Sequence, residues 1–172
     1  NRRTMRFFLV PLDLPGIEIQ KINTTGMRGS GTSQIFFDRA FVPNEALLGE
    51  DDAGFQAAMQ VLGASRIFFA ARGLGIVEAA VDMAGQLLSA AQTVSENDPR
   101  IPLGTLRLHL LEAKAFNLRN LVYRVARLRD DGQPFDHQVA ILKLIAGNTA
   151  IEVTSEAYNL MVFLGASAQE LK

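Results

Sequence analysis

Residues 54–92, GFQAAMQVLGASRIFFAARGLGIVEAAVDMAGQLLSAAQ, limit what this chain can fold into. The stretch is long, apolar and nearly free of helix breakers other than glycine. Leu74, Val77, Val81, Ala84 and Leu88 recur at spacings of three and four. That spacing places them on one helix face, as the seam of a helix bundle requires. Gly63 predicts a break, giving a short helix over 52–62 and a long one over 64–93. Arg66 stands beside Ile67, Phe68, Phe69 and Ala70. A guanidinium buried without a partner is very costly. Arg66 therefore calls for an ion pair, a snorkelling position at a helix start, or an anionic or carbonyl-bearing ligand.

The chain before this stretch has strand character. Met5–Val10 is a short apolar run closed by Pro11, and Pro15-Gly16 marks a turn. Ile17, Ile19 and Ile22 nearly alternate with Glu18, Gln20 and Lys21, the pattern of a half-buried strand or an edge strand. Residues 24–33, TTGMRGSGTS, have the glycines and hydroxyls of a loop. Gln34–Asp38 reads as another strand, and Phe41-Val42-Pro43 closes the region. No helix-length crossover separates these runs, so they predict antiparallel pairing. Residues 43–54, PNEALLGEDDAG, are acidic and turn-rich, and Asp51 or Asp52 can cap the helix that follows. The domain boundary is expected here, dividing a β segment, 1–50, from a helical segment, 51–172.

Two more helices follow. Residues 94–102, VSENDPRIP, form a connector. A helix over 103–130 is predicted with its seam on Leu106, Leu110, Ala113, Leu118, Leu121, Val125 and Leu128. Asp130-Asp131-Gly132 and then Pro134 supply its stop. Asp136 is placed to cap a third helix over 137–164, with a seam on Val139, Leu142, Ala146, Ala150, Val153, Ala157, Leu160 and Leu164. The expected fold class is α+β: an antiparallel β segment, then an antiparallel up-down bundle of the four-helix type, truncated at both ends.

Composition narrows the function. Seventeen basic and 18 acidic residues leave a net charge of −1, so no broad basic field invites nucleic acid or an anionic membrane. The absence of cysteine excludes disulfides and thiolate metal sites, and two histidines exclude a histidine-rich one. No apolar run is long enough for a membrane span, and the expected location is cytoplasmic. Neither common phosphate-binding glycine loop is present, nor a nucleophile elbow. His109, among leucines, reads as a packed residue, and the cations of helix 103–130 as a solvated face.

The succession FFLVPLDLPGIEI, TTGMRGSGTSQIFFDRAFVPNEALLGE and GFQAAMQVLGASRIFFAARGLGIVEAAVDMA resembles the acyl-CoA dehydrogenases. The matching motifs run in order over residues 7–84, with fainter likeness at Leu121–Arg124 and Lys143–Glu156. The resemblance implies a flavoenzyme that binds FAD between a β domain and a helical bundle. It also implies an acyl-CoA substrate, an electron-transfer flavoprotein as acceptor, and assembly as a homodimer or homotetramer. In that family a carboxylate takes the α proton of the thioester while flavin N5 takes a hydride. Arg66 then matches the helix arginine on the substrate side, and Arg28, Ser30 and Thr32 match a mainly structural loop.

The departures from the family are equally specific. Its "E-R-x-Q-F-G" motif is absent, and Arg100 is the nearest arginine able to stand in as a cofactor contact. Its "Q-I-x-G-G-x-G" stretch falls on Asn159–Gly165, where only Gly165 matches and Val162 and Phe163 replace glycines. The family's usual base falls on Gln169, which cannot accept a proton, and Glu170 beside it is the candidate base. The alternative base position holds Ser65. Two other readings therefore stand beside the dehydrogenase: a non-catalytic partner subunit of a heteromeric dehydrogenase, and a flavin monooxygenase of the same superfamily.

Overall fold

A computed structural model describes residues 5–50, 53–95 and 97–166. The chain divides into two compact units, Asn1–Gln60 and Val61–Lys172.

The first unit is built on two antiparallel pairs. Strand β1 (Phe7–Phe8) pairs with β4 (Leu47–Leu48), and β2 (Ile17–Ile22) with β3 (Thr32–Phe37). Register runs from Ile17 opposite Phe37 to Ile22 opposite Thr32, which sets Ile17 against Phe37 and Ile19 against Ile35 as apolar cross-strand pairs. The antiparallel expectation is met. Strand β3 begins two residues before the predicted Gln34, because Thr32 and Ser33 continue the ladder. Within the glycine-rich loop, Arg28–Ser30 forms a single 3₁₀ turn, closed by Ser30 donating to the Met27 carbonyl at 2.9 Å. The helix of residues 54–94 starts where the Gly54 N–H donates to the Met5 carbonyl at 3.0 Å. A Cβ at Gly54 would run into that carbonyl, so the start depends on glycine.

The helices are α1 (Gly54–Val94), α2 (Ile101–Asp130) and α3 (Asp136–Leu164). The predicted break at Gly63 does not occur, and α1 is one helix of 41 residues. A helical glycine costs only about 1 kcal/mol against alanine. Here Gly63 is buried near Phe135 and Asp136 at the start of α3, and packing along the helix outweighs that cost. Helix α2 ends as expected: Gly132 is left-handed, and the Gln133 N–H donates to the Leu128 carbonyl at 2.8 Å. Asp136 lies inside the first turn of α3 rather than at the cap, and Phe135 at the cap position makes no side-chain bond. Asp136 still opposes the positive helix end. The capping expected of Asp51 and Asp52 lies outside the described residues.

Contacts set the directions. Glu78 pairs with Arg119, and Gly85 lies against Leu108, so α2 descends as α1 rises. Arg107 pairs with Glu156 and Lys114 with Glu152, so α3 rises again. Gly73 against Ala146 then makes α1 and α3 parallel neighbours. The core these helices share includes Val77, Ala84, Leu118, Val125, Leu142, Val153 and Leu160. All five predicted seam residues of α1 are buried, as are all those of α3 except the partly buried Ala150. On α2 the seam is corrected. Leu118 and Val125 are buried, but Leu106 and Leu110 are more than half exposed, and Gly104, Leu111 and Ala115 face the core instead. His109, expected to be packed, is exposed for the same reason. The seam needs small residues there: a Cβ on Gly104 would lie 3.0 Å from Leu88 Cδ1 and 3.3 Å from Leu164 Cδ2.

The corrected face has a direct test. Leu111→Ala should destabilise the protein by about 2–5 kcal/mol, and Leu110→Ala by less than about 1 kcal/mol. Urea unfolding of the two variants checks it, and equal losses would restore the original assignment.

Candidate functional site

The sequence points to Arg66, Arg100, Gly165 and Glu170. Glu170 and its neighbour Gln169 lie outside the described residues. Arg66 is on α1, half-buried, beside the exposed rings of Phe68 and Phe69. Among the described residues nothing pairs with its guanidinium, so the ion-pair explanation for Arg66 does not hold within them. The Phe69 ring is flanked by two other cations, with the Arg72 guanidinium 5.8 Å and the Lys143 ammonium 5.9 Å from its centre. Ser65, the alternative base position, spends its hydroxyl on the Leu62 carbonyl at 3.0 Å.

Arg100 and Gly165 are brought together although 65 positions apart in sequence. Gly165 is left-handed (φ 94°) and follows the last residue of α3. Arg100 sits just before α2. Its Nε donates to both carboxylate oxygens of Asp98, at 3.0 and 3.1 Å, and its Nη2 to Asp98 Oδ2 at 2.7 Å. The Arg100 backbone N–H donates to Asp98 Oδ1 at 2.9 Å. The remaining nitrogen, Nη1, reaches the Phe163 carbonyl at 3.4 Å and lies 3.3 Å from where a Cβ on Gly165 would stand. These hydrogen bonds to Arg100 hold the Asp98 carboxyl below its usual range, and Asp98 in turn raises Arg100.

Next to this pair runs a cleft of about 250 Å³ lined by Leu87, Ala91, Val94, Ser95 and Leu164, with Asp98 and Arg100 at its polar end. Val162 is about half exposed, and the Phe163 ring is partly buried with the Arg107 guanidinium 5.6 Å from its centre. Among the described residues no cluster of three His, Asp or Glu could hold a metal, and no helix is long and apolar enough to cross a membrane. Reading the sequence missed Asp98 and Arg107. The spacing Asp98-x-Arg100 was the one signal available, since an Asp side chain reaches a backbone N–H two residues on.

Asp98 gives this site a pH signature. Its carboxyl is depressed in the folded chain, so the contribution of the pair is complete above the ordinary carboxylate pKa and lost as pH falls through and below it. Asp98→Asn should melt lower than wild type at about pH 7, and the gap should narrow as pH falls below the ordinary carboxylate range, about 4. Thermal melts of both proteins across that range decide the matter, and a gap independent of pH would exclude the charged pair as its cause.

Residues 52–171 match the family model for the acyl-CoA dehydrogenase C-terminal domain. The short-chain specific acyl-CoA dehydrogenase of Bos taurus mitochondria is 32% identical over 166 residues, covering 92% of this chain and 39% of that protein. The cyclohexane-1-carbonyl-CoA dehydrogenase of Geobacter metallireducens is 34% identical over 168 residues, covering 96% of this chain and 43% of its own length. The solved butyryl-CoA dehydrogenase of Megasphaera elsdenii superposes with a TM-score of 0.83 at 32% identity, over 95% of this chain and 43% of that one. This chain thus spans about two fifths of the length of these relatives. The order of the motifs, the up-down-up helices and the matched C-terminal domain agree, and the chain belongs to the acyl-CoA dehydrogenase family.

Proposed function

We propose that the protein is a flavin-dependent oxidoreductase that introduces a double bond between Cα and Cβ of an acyl-CoA thioester. The observation that carries this reading is the match to acyl-CoA dehydrogenases along nearly the whole chain. It further implies FAD as cofactor, an electron-transfer flavoprotein as acceptor, a homodimer or homotetramer, a cytoplasmic location and a place in fatty acid metabolism. Residues 1–50 then close the middle β domain, and 51–172 form the helical-bundle domain.

Within that reading the roles are as follows. Glu170 takes the α proton. A carboxylate held in apolar surroundings has the raised basicity this step needs, and hydrogen bonds to the thioester carbonyl acidify the carbon. Arg66 lies on the substrate side: a half-buried cation beside exposed Phe68 and Phe69, with no counter-charge among the described residues, suits an anionic or carbonyl-bearing ligand.

Arg100 and Gly165 fit a cofactor contact less well. The Arg100 charge is already matched by Asp98, and the space over Gly165 is filled by the Arg100 Nη1. We therefore assign the FAD contacts to residues other than Arg100 and Gly165. The same observation favours the second reading, a partner subunit that lends helices to a heteromeric dehydrogenase without a flavin of its own.

The absorbance of the purified complete gene product separates these readings. A dehydrogenase shows flavin bands that bleach on adding a short-chain acyl-CoA, and Glu170→Gln keeps the bands while slowing the bleaching by about 10³-fold. A colourless, folded protein supports the partner subunit. Flavin that no acyl-CoA reduces supports the monooxygenase.

A further inference from the structure

We propose that Arg100 is a positioning residue: with Arg107 it clamps the last turn of α3, Asp98 holds the clamp in place, and the conformation of Phe163–Ala166 is thereby set from the connector between α1 and α2. The clamp stands on the geometry and does not depend on the proposed dehydrogenase function.

The last carbonyls of a helix have no partner within it. Two of those at the end of α3 are satisfied by the turn itself. The Gly165 N–H donates to the Val162 carbonyl at 3.0 Å, and the Ala166 N–H to the Met161 carbonyl at 3.0 Å. This pattern requires the left-handed Gly165. The Phe163 carbonyl is the next along the chain, and Arg100 Nη1 donates to it at 3.4 Å. A cation there also faces the negative end of the helix dipole. The guanidinium cannot swing away freely, because Nε and Nη2 are both held by Asp98.

The side chain of the same residue is held from the other direction. Arg107, on the first turns of α2, lies over the Phe163 ring and donates to Glu156 Oε2 at 3.2 Å, two turns earlier on α3. Phe163 is thus gripped by its carbonyl from the connector and by its ring from α2. Its bulk, a departure from the family pattern, has a use inside the chain. An outside anion would meet an Arg100 whose charge is already matched by Asp98.

The test is amide hydrogen exchange, measured residue by residue on the intact chain. Arg100→Ala should speed exchange at Gly165 and Ala166 by about five- to tenfold. Amides in the middle of α3, such as Val153, should keep their rates. Asp98→Asn should give the same pattern with smaller amplitude, and it decides the matter if Arg100→Ala does not fold. Arg100→Lys, which keeps the charge but loses the fork, should not restore protection. Unchanged rates at Gly165 and Ala166 would overturn the clamp. So would faster exchange along all three helices together, which marks a general loss of stability. Flavin content is measured on the same samples. A colourless wild type removes the dehydrogenase reading and leaves the exchange result standing. Flavin lost from Arg100→Ala with exchange unchanged would make Arg100 a ligand contact and end the proposal.

Discussion

Close packing of three aliphatic seams is the constraint on which the rest of the helical unit depends. Val77, Leu118, Leu142, Val153 and Leu160 are almost wholly out of water, and each withdraws an aliphatic side chain worth about 1.5–3 kcal/mol. The ion pairs between helices are partly exposed, and each adds at most about 1 kcal/mol. The seams therefore hold the bundle, and everything polar is placed by them. Gly104 shows how tight the arrangement is, since α2 meets the side chains of both neighbours, Leu88 and Leu164, at that one position. The Asp98–Arg100 pair is close by, one turn before Gly104, so the fixed end of the seam also fixes the corner where α3 stops.

Most of this fold was legible in the sequence, and the failures have physical causes. In α1 and α3 the buried seam follows the period of three and four, although large apolar residues such as Phe68, Ile76, Leu144 and Ile151 also lie on exposed faces. Helix α2 carries Leu103, Leu106, Leu108, Leu110 and Leu111 in its first three turns. With leucines spread over so wide an arc, spacing alone does not single out the buried face. The true face contains Gly104 and Ala115, whose smallness lets helices approach but adds little to an apolar pattern. Gly63 misled in the other direction. Its propensity cost is local, and its contact with Phe135 is more than seventy residues away in the chain.

The site was legible as residue types and not as geometry. Family motifs marked Arg66, Arg100 and Gly165, and the structure does put the last two side by side. What they do together was hidden, because it depends on Asp98, Arg107 and Phe163, drawn from the connector and from two helices. A motif comparison counts Phe163 as a missing glycine. The folded chain shows a ring held between the core and an arginine.

The three ion pairs carry information that their small energies conceal. Three helices joined up-down-up can turn either way, and both turns can bury similar seams. In the observed turn, Arg119 meets Glu78 of α1 while Arg107 and Lys114 meet Glu156 and Glu152 of α3. In the mirror arrangement Arg119 would face residues 141–151 of α3, ILKLIAGNTAI, which contain no acid. A cation would then sit beside Lys143 and apolar surface. The ladder is a handedness code, in which weak contacts penalise the wrong topology more than they strengthen the right one.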